Sequence, residues 1–466
     1  MARDWIEMRP IPIRSISRRQ VMKAALAAAG SAMIPLPGCG GGSAAQQTSS
    51  PSPAWPPSLP VGTWTPTAAD NAFLDSLEQQ ACLYFWEQAS PANGQVLDRA
   101  ANNLGGAMDP RLTSSIAATG FGLAALSIAD SRGYQSHADI VARVQTTLDF
   151  HLNSMPNENG FFYHFNDVET GLPLSGSEVS SIDTAILLCG MLTARAYFGD
   201  AQITDLATQI YERVNWPWML NGGSTFAQAW LPASGFESGR YDTYCELMML
   251  YLLAIGAPSN SIAASYWDNF ARPILNYEGY SYISSDSDPL FTHQYSHAFF
   301  DFRGKTDAYA NYFSNSIAAT QAHETFCLSY PQVNGAWYNE DYWGITSSDY
   351  ADGYTAWGGP PAFGSIDGTV VPCAATGSLV FLPNECLSML EALNAKFGST
   401  PAAGRYGFVD AFHPSANWYD TDVLGIDQGI SVLMAENLRT GLIWSAFMSN
   451  PECARAMQLA GFVNQS

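Results

Sequence analysis

The chain is 466 residues long, 47% hydrophobic and only 13% charged, which supplies a large core and excludes the high-charge, low-hydrophobicity makeup of a disordered protein. Its formal net charge of −22 repels a phosphate backbone, so nucleic acid and anionic polysaccharides are disfavoured as partners and neutral polymers are not. The 13 Trp and 22 Tyr suit both core packing and stacking on the apolar faces of sugar rings, and composition does not separate the two uses.

At the N-terminus, Ser17-Arg18-Arg19-Gln20-Val21-Met22-Lys23 resembles the twin-arginine export motif. The apolar run from Ala24 to Ile34 is too short to span a bilayer and reads as the core of a signal peptide. Leu36-Pro37-Gly38-Cys39 is similar to a lipoprotein cleavage box, with Pro37 in place of the usual small residue. These features predict a signal peptide over 1–39, lipidation at Cys39, and export by the twin-arginine route to the periplasm or cell envelope. Membrane contact is then expected only through that anchor. Residues 40–66 are rich in Gly, Ser, Ala, Gln and Pro, a composition that predicts a flexible tether. The other cysteines contain no C-x-x-C pair, and Cys189 and Cys245 sit in apolar helical runs, so no essential disulfide framework is expected.

From residue 67 onward the pattern is a single domain of helices joined by Gly/Pro/Asn-rich loops. Spacing predicts helices near 70–89, 113–131, 136–153, 178–198, 202–215, 241–256, 262–272, 305–327, 372–380, 383–397 and 428–448, with strands only in parts of 275–304 and near 161–165. Residues 136–153 carry charge on one face, as an outer helix does. Residues 184–194 and 247–255 are apolar all round, as helices buried on every side are. Alternating covered and exposed helices point to an α/α barrel, with a plain bundle as the alternative. The long aromatic-rich loops 275–304 and 328–371, which include Trp337, Trp343, Tyr350, Tyr354 and Trp357, read as functional.

Sugar-bond hydrolysis needs two carboxyl groups, one to protonate the leaving oxygen and one to activate water or attack. Glu246 stands at the head of an apolar helical run, but Thr243 and Glu246 also have capping-box spacing. Asp427 precedes a helix and reads locally as an N-cap. Asp183, with Ser180 three residues before it, shares the ambiguity. His293 and His297 have the i, i+4 spacing of a metal pair, but position 294 is Gln, and the aromatic surroundings favour sugar hydrogen bonding. Asp286-Ser287-Asp288 reads as a solvated turn, and no metal or cofactor is expected.

Phe291-Thr292-His293-Gln294-Tyr295-Ser296-His297-Ala298-Phe299-Phe300-Asp301-Phe302-Arg303-Gly304 resembles the signature of the glycoamylase-like domain of bacterial endo-β-1,2-glucanases and cyclic β-1,2-glucan synthases. Further similar blocks are Tyr251 to Pro258, Ala356-Trp357-Gly358-Gly359-Pro360-Pro361, Asp367 to Pro372, Tyr406 to Phe412, and Trp418-Tyr419-Asp420 through Asp427-Gln428 to Asn437, placing the signature at about 230–450. The resemblance implies an all-α (α/α)6 barrel and inverting hydrolysis of a neutral β-1,2-glucan, with endo action. It makes Glu246 the general acid and Asp427 the general base acting through water, and Asp183 a further acidic cleft residue. The substrate-binding candidates are Asp183, His293, Tyr295, His297, Asp301, Arg303, Trp343, Trp357, Trp418 and Gln428. Asp242 to Glu246 departs from the family's usual Tyr-Ser/Asn-Glu-Ala. The competing readings are a transglycosylase or exo-acting enzyme on the same glucan, a uronate lyase centred on Tyr295, His297 and Arg303, and a lipid-anchored glucan-binding protein. A monomer is expected.

Overall fold

Single polar residues set the helix starts. In the computed structural model, which describes residues 64–285, 289–330 and 337–465, Thr67 forms a capping box with Asp70 ahead of α1 (Ala68–Glu87). Ser115 caps α2 (Ile116–Arg132), Ser136 caps α3 (His137–Asn153), Ser180 caps α4 (Ser181–Phe198) and Asp200 caps α5 (Ala201–Glu212). Gly133 and Gly199 close α2 and α4 in the left-handed region, with φ of 70° and 59°. The predicted signal peptide, Cys39, most of the tether and Asp286-Ser287-Asp288 lie outside the described residues.

After α5 come α6 (Trp216–Leu220), α7 (Met248–Gly256), α8 (Tyr295–Phe299), α9 (Tyr312–Ser329), α10 (Pro372–Thr376), α11 (Pro383–Phe397), α12 (Gly425–Arg439), α13 (Leu442–Met448) and α14 (Pro451–Leu459). The inner ring runs α2, α4, α7, α8, α10, α12 and back to α2. Helices α1, α3, α5, α9 and α11 stand outside it. In the remaining outer position a short 3-10 helix (Ala264–Asn269) and a hairpin (Ile274–Tyr277 with Tyr280–Ile283) replace a helix. This is the expected (α/α)6 barrel. The burial pattern explains it: α2, α4 and α7 are buried on almost every face, whereas α3 buries only the stripe Ile140, Val144, Thr147, Leu148 and His151.

The predicted helix at 241–256 begins only at Met248, and the one at 428–448 divides where Gly441 takes φ 71°. The loop expected over 275–304 holds the hairpin and inner helix α8.

Where α2 and α4 meet, the backbones touch: a Cβ on Gly190 would run into the carbonyl of Gly120, and one on Gly120 would meet the backbone of Ile186 and Leu187. Glycine at both positions is what permits this close approach.

The inner helices begin at one rim, and short strands lace that rim together. Asp422–Leu424, just before α12, pairs with Arg99–Ala101. Leu97 bridges to Ser114, and Thr113–Ser115, just before α2, pairs with Phe165–Asp167. Tyr163 bridges to Val179, and Val179–Ser180, just before α4, pairs with Ala229–Trp230. At the next position round, the Ser296 hydroxyl of α8 donates to the Glu246 carbonyl at 2.8 Å and accepts from the Met249 amide at 3.1 Å.

Candidate active site

Helix N-termini carry unsatisfied N–H groups and a partial positive charge, so a ring of them favours carboxylates at its rim. Three inner helices place one there. Asp183 is the third residue of α4; Ser180 donates to its carboxylate and accepts from its amide, and the His164 imidazole stands 3.6 Å away. Glu246 lies in the loop two residues before α7. Asp427 is the third residue of α12. In the ring order, α7 and α12 stand opposite one another, so Glu246 and Asp427 face across the cleft.

The capping readings of the two opposed carboxyls do not survive. Leu247 is the N-cap of α7 and makes no side-chain cap bond, and the Thr243 hydroxyl turns to Asp242 instead. Leu424 is the N-cap of α12, so Asp427 sits inside the helix rather than at its cap. Glu246 is 5% exposed, and its Oε2 is buried with no hydrogen-bond partner among the described residues. A buried polar atom left unpaired is costly, and a catalytic role is one reason a native protein retains one. Asp183 keeps its structural role as well, because its bond to Ser180 closes the start of α4.

Behind Asp427 lies a cluster not anticipated from sequence. Asp349, in the strand Ser348–Tyr350, and Asp410 and Asp420, which flank the hairpin Phe412–His413/Trp418–Tyr419, bring one oxygen each within 4.8 Å of one another. Asp410 accepts the Asp349 amide at 2.6 Å and hydrogen-bonds Asp427. Burial, then the Asp427 carboxylate, pushes Asp410 well above the usual carboxylate range. Burial and the Asp349 carboxylate push Asp420 up to about 8. Arg99 is the counter-charge, 2.6 Å from Asp349 and 3.3 Å from Asp98. Farther along the same strand pair, Arg111 clamps Asp109 and Asp422. The spacing of Asp349, Asp410 and Asp420 suits a divalent cation, and Arg99 supplies a positive charge beside Asp349.

The predicted binding residues divide into groups. Asp183 is at the rim, and Trp418 is half-buried in the hairpin beside Asp420. His293 is buried, 3.3 Å from the Tyr244 hydroxyl, and the buried Tyr295 ring packs on Phe121 and Phe291. Gln428 reaches the Phe408 carbonyl at 3.3 Å. The structure does not bring His297, Asp301, Arg303, Trp343 or Trp357 to the cleft surface. His297 is enclosed by Phe302, Phe313 and Phe381 and bonds Ser316 at 3.1 Å; burial lowers its pKa to about 3, so it is a neutral core histidine. Asp301 and Arg303 pair with each other past the C-terminal end of α8, the end away from the rim, where Arg303 covers Trp444. Trp343 and Trp357 are each 1% exposed, and Trp357 donates to Ser348 at 3.1 Å: they brace the loops rather than present a stacking face. With Tyr295, His297 and Arg303 on different surfaces, no lyase centre forms from them.

Residues 239–451 match the Glycoamylase family model, described as "Putative glucoamylase". The chain is 28% identical over 438 residues to an exo β-1,2-glucooligosaccharide sophorohydrolase (non-reducing end) of Parabacteroides distasonis, covering 85% of this chain and 59% of that protein. It therefore spans less than two thirds of the length of this curated relative. Among solved structures, an endo-β-1,2-glucanase of Chitinophaga pinensis, in complex with sophorotriose and glucose, superposes with a TM-score of 0.76 at 28% identity, covering 85% of this chain and 99% of that one. A β-1,2-glucanase of Parabacteroides distasonis does so with a TM-score of 0.76 at 26% identity, covering 85% and 60%. An endo-β-1,2-glucanase of Talaromyces funiculosus shares the fold at 12% identity with a TM-score of 0.60, covering 84% and 92%. The signature block, the ring of inner helices and these likenesses agree: residues 239–451 resemble a glycoamylase-like domain, and the chain is built as an (α/α)6 barrel.

Proposed function

We propose that the protein is a glycoside hydrolase that cleaves β-1,2-glucan with inversion, Glu246 acting as general acid and Asp427 as general base. The observation that carries the reading is the orphaned, buried Glu246 Oε2 at the rim, opposite Asp427. In an inverting reaction the two carboxyls stand roughly 6.5–9.5 Å apart so that water fits between base and sugar. Placement on opposed inner helices supports that wide arrangement over the close pair of a double-displacement enzyme or transglycosylase. The relatives' activities on β-1,2-linked glucan supply the sugar and the linkage.

Endo action is the reading carried by the resemblance to endo-β-1,2-glucanases. The exo-acting curated relative keeps release of disaccharides from the non-reducing end as the second reading. We also propose that the enzyme works in the cell envelope, exported through the Arg18-Arg19 signal and held by lipid at Cys39.

Incubation of the soluble part, from residue 60 onward, with linear β-1,2-glucan and with β-1,3-, β-1,4- and β-1,6-glucans tests the assignment. Products from the β-1,2 chain alone support it. A ladder of sizes means endo action, and sophorose alone means exo action. The anomer first released, read by NMR, decides inversion. Binding of the glucan without cleavage would return the chain to a receptor role.

A further inference from the structure

A cavity of about 460 Å³ opens through the barrel wall between α1, α11 and α12, away from the cleft. Ser76, Asn394 and Gly398 stand exposed at its mouth. Phe73, Leu77 and Phe408 form its sides. At its floor are Asp410 and Asp427, each 3% exposed, with the Ser431 hydroxyl beside them. At about 30 Å³ per water, a space of this size accommodates on the order of ten waters, and the carboxyls and hydroxyls at its floor supply the hydrogen-bonding partners such waters need.

The proposed reaction creates a need for such a route. In each turnover the oxygen of one water bonds to the anomeric carbon and its proton passes to Asp427. The glycosidic C–O bond breaks, and the leaving oxygen takes the proton of Glu246. The base ends one proton rich and the acid one proton poor, so a proton has to leave Asp427 by way of solvent before the next cycle. A glucan lying in the cleft obstructs the front route. Asp410 is hydrogen-bonded to Asp427 and also lines the cavity.

We propose that this cavity is a rear passage for water and protons serving the general base, and that Asp410 relays the proton as a positioning residue acting through Asp427. The inference rests on Asp427 being the base.

The test is carbodiimide labelling of carboxyls in the presence of glycine ethyl ester, mapped by peptide mass spectrometry. It is run on full-length Glu246→Gln protein with its cleft saturated by linear β-1,2-glucan. Labelling of Asp410 or Asp427 is expected to persist under glucan and to fall at least fivefold when Ser76→Trp or Asn394→Trp plugs the mouth. In the Glu246-containing enzyme the same plugs are expected to lower kcat about tenfold with KM unchanged. Asp410→Asn is expected to lower kcat and shift the pH profile of kcat, leaving KM in place. Labelling abolished by glucan and indifferent to both plugs overturns the passage, as does an unchanged kcat in both plugged enzymes. Wild-type turnover by Asp427→Asn instead overturns the base assignment itself, an outcome distinct from either labelling result.

Discussion

The Arg99 guanidinium lies 2.6 Å from the Asp349 carboxylate, 3.3 Å from Asp98 and 3.8 Å from Asp422, which Arg111 also holds. One side chain thus balances several acids behind Asp427. Taking it away leaves buried negative charge without a partner, a loss worth about 3 kcal/mol in comparable sites. Arg99→Gln should therefore lower the urea midpoint substantially, while Arg99→Lys recovers part of the loss. Equal midpoints for all three proteins would mean that the acids share protons instead of depending on Arg99.

Asp420 gives the protein a pH signature. Its folded value of about 8 lies above the ordinary 3.8, so between about pH 4 and 8 the native state binds more protons than the unfolded chain. Stability contributed by this group is present below that window and declines as pH rises through it. Asp420→Asn, which cannot ionise, should flatten the decline in melting temperature between pH 5 and 8. An unchanged slope would assign the proton to a different carboxyl.

Acid acts through different residues. His297 and His151 are buried and neutral, with pKa values lowered to about 3 and about 4 by desolvation. The unfolded chain takes up protons below pH 6.5 that the native state refuses, so stability is complete above 6.5 and falls as pH drops below it. His297→Gln is expected to be less stable at pH 7.5 yet lose less on transfer to pH 5 than the wild type does, as read by urea titration at both values.

For the proposed acid, Glu246→Gln keeps the shape and removes the transferable proton. Loss of general acid catalysis is worth about 10²- to 10⁴-fold in rate, with glucan binding expected to remain. Thr243→Ala tests the capping alternative. Because Thr243 donates no cap to α7, stability should change by less than about 0.5 kcal/mol. A large loss from Thr243→Ala would restore the cap.

At the crossing of α2 and α4, Gly190→Ala forces a methyl into the Gly120 carbonyl. Overpacking of this kind costs about 1–3 kcal/mol. Thermal melting should show a clear drop, whereas alanine at Gly199, where no neighbour lies within reach, meets only the strain of a left-handed backbone.

Much of this architecture is legible in the sequence wherever local chemistry decides. Ser115, Ser136, Ser180 and Asp200 mark helix starts, and the apolar runs at 184–194 and 247–255 mark inner helices. The single-turn inner helix α8 is too short to show a period, so Tyr295 to Phe299 reads as loop, whereas α10 lies within the helix expected near 372–380. Glu246 and Asp427 come from motif blocks, but Asp349, Asp410 and Asp420 meet only because two loops fold over the same rim, and no spacing along the chain records that. His297, Asp301 and Arg303 show the opposite effect: adjacent residues in one motif end up in the core and at the far end of the barrel.

The ring is unequal around its circumference. Helices α2, α4 and α12 are long, and α2 and α4 are fused at Gly120 and Gly190, while α8 and α10 are five residues each. On the thin side the cleft wall is loop, including much of 337–371. The thick side thus carries the helix packing, and the thin side leaves the wall to loops. Insertions and deletions on the thin side can reshape that wall while the thick side goes on holding the barrel together.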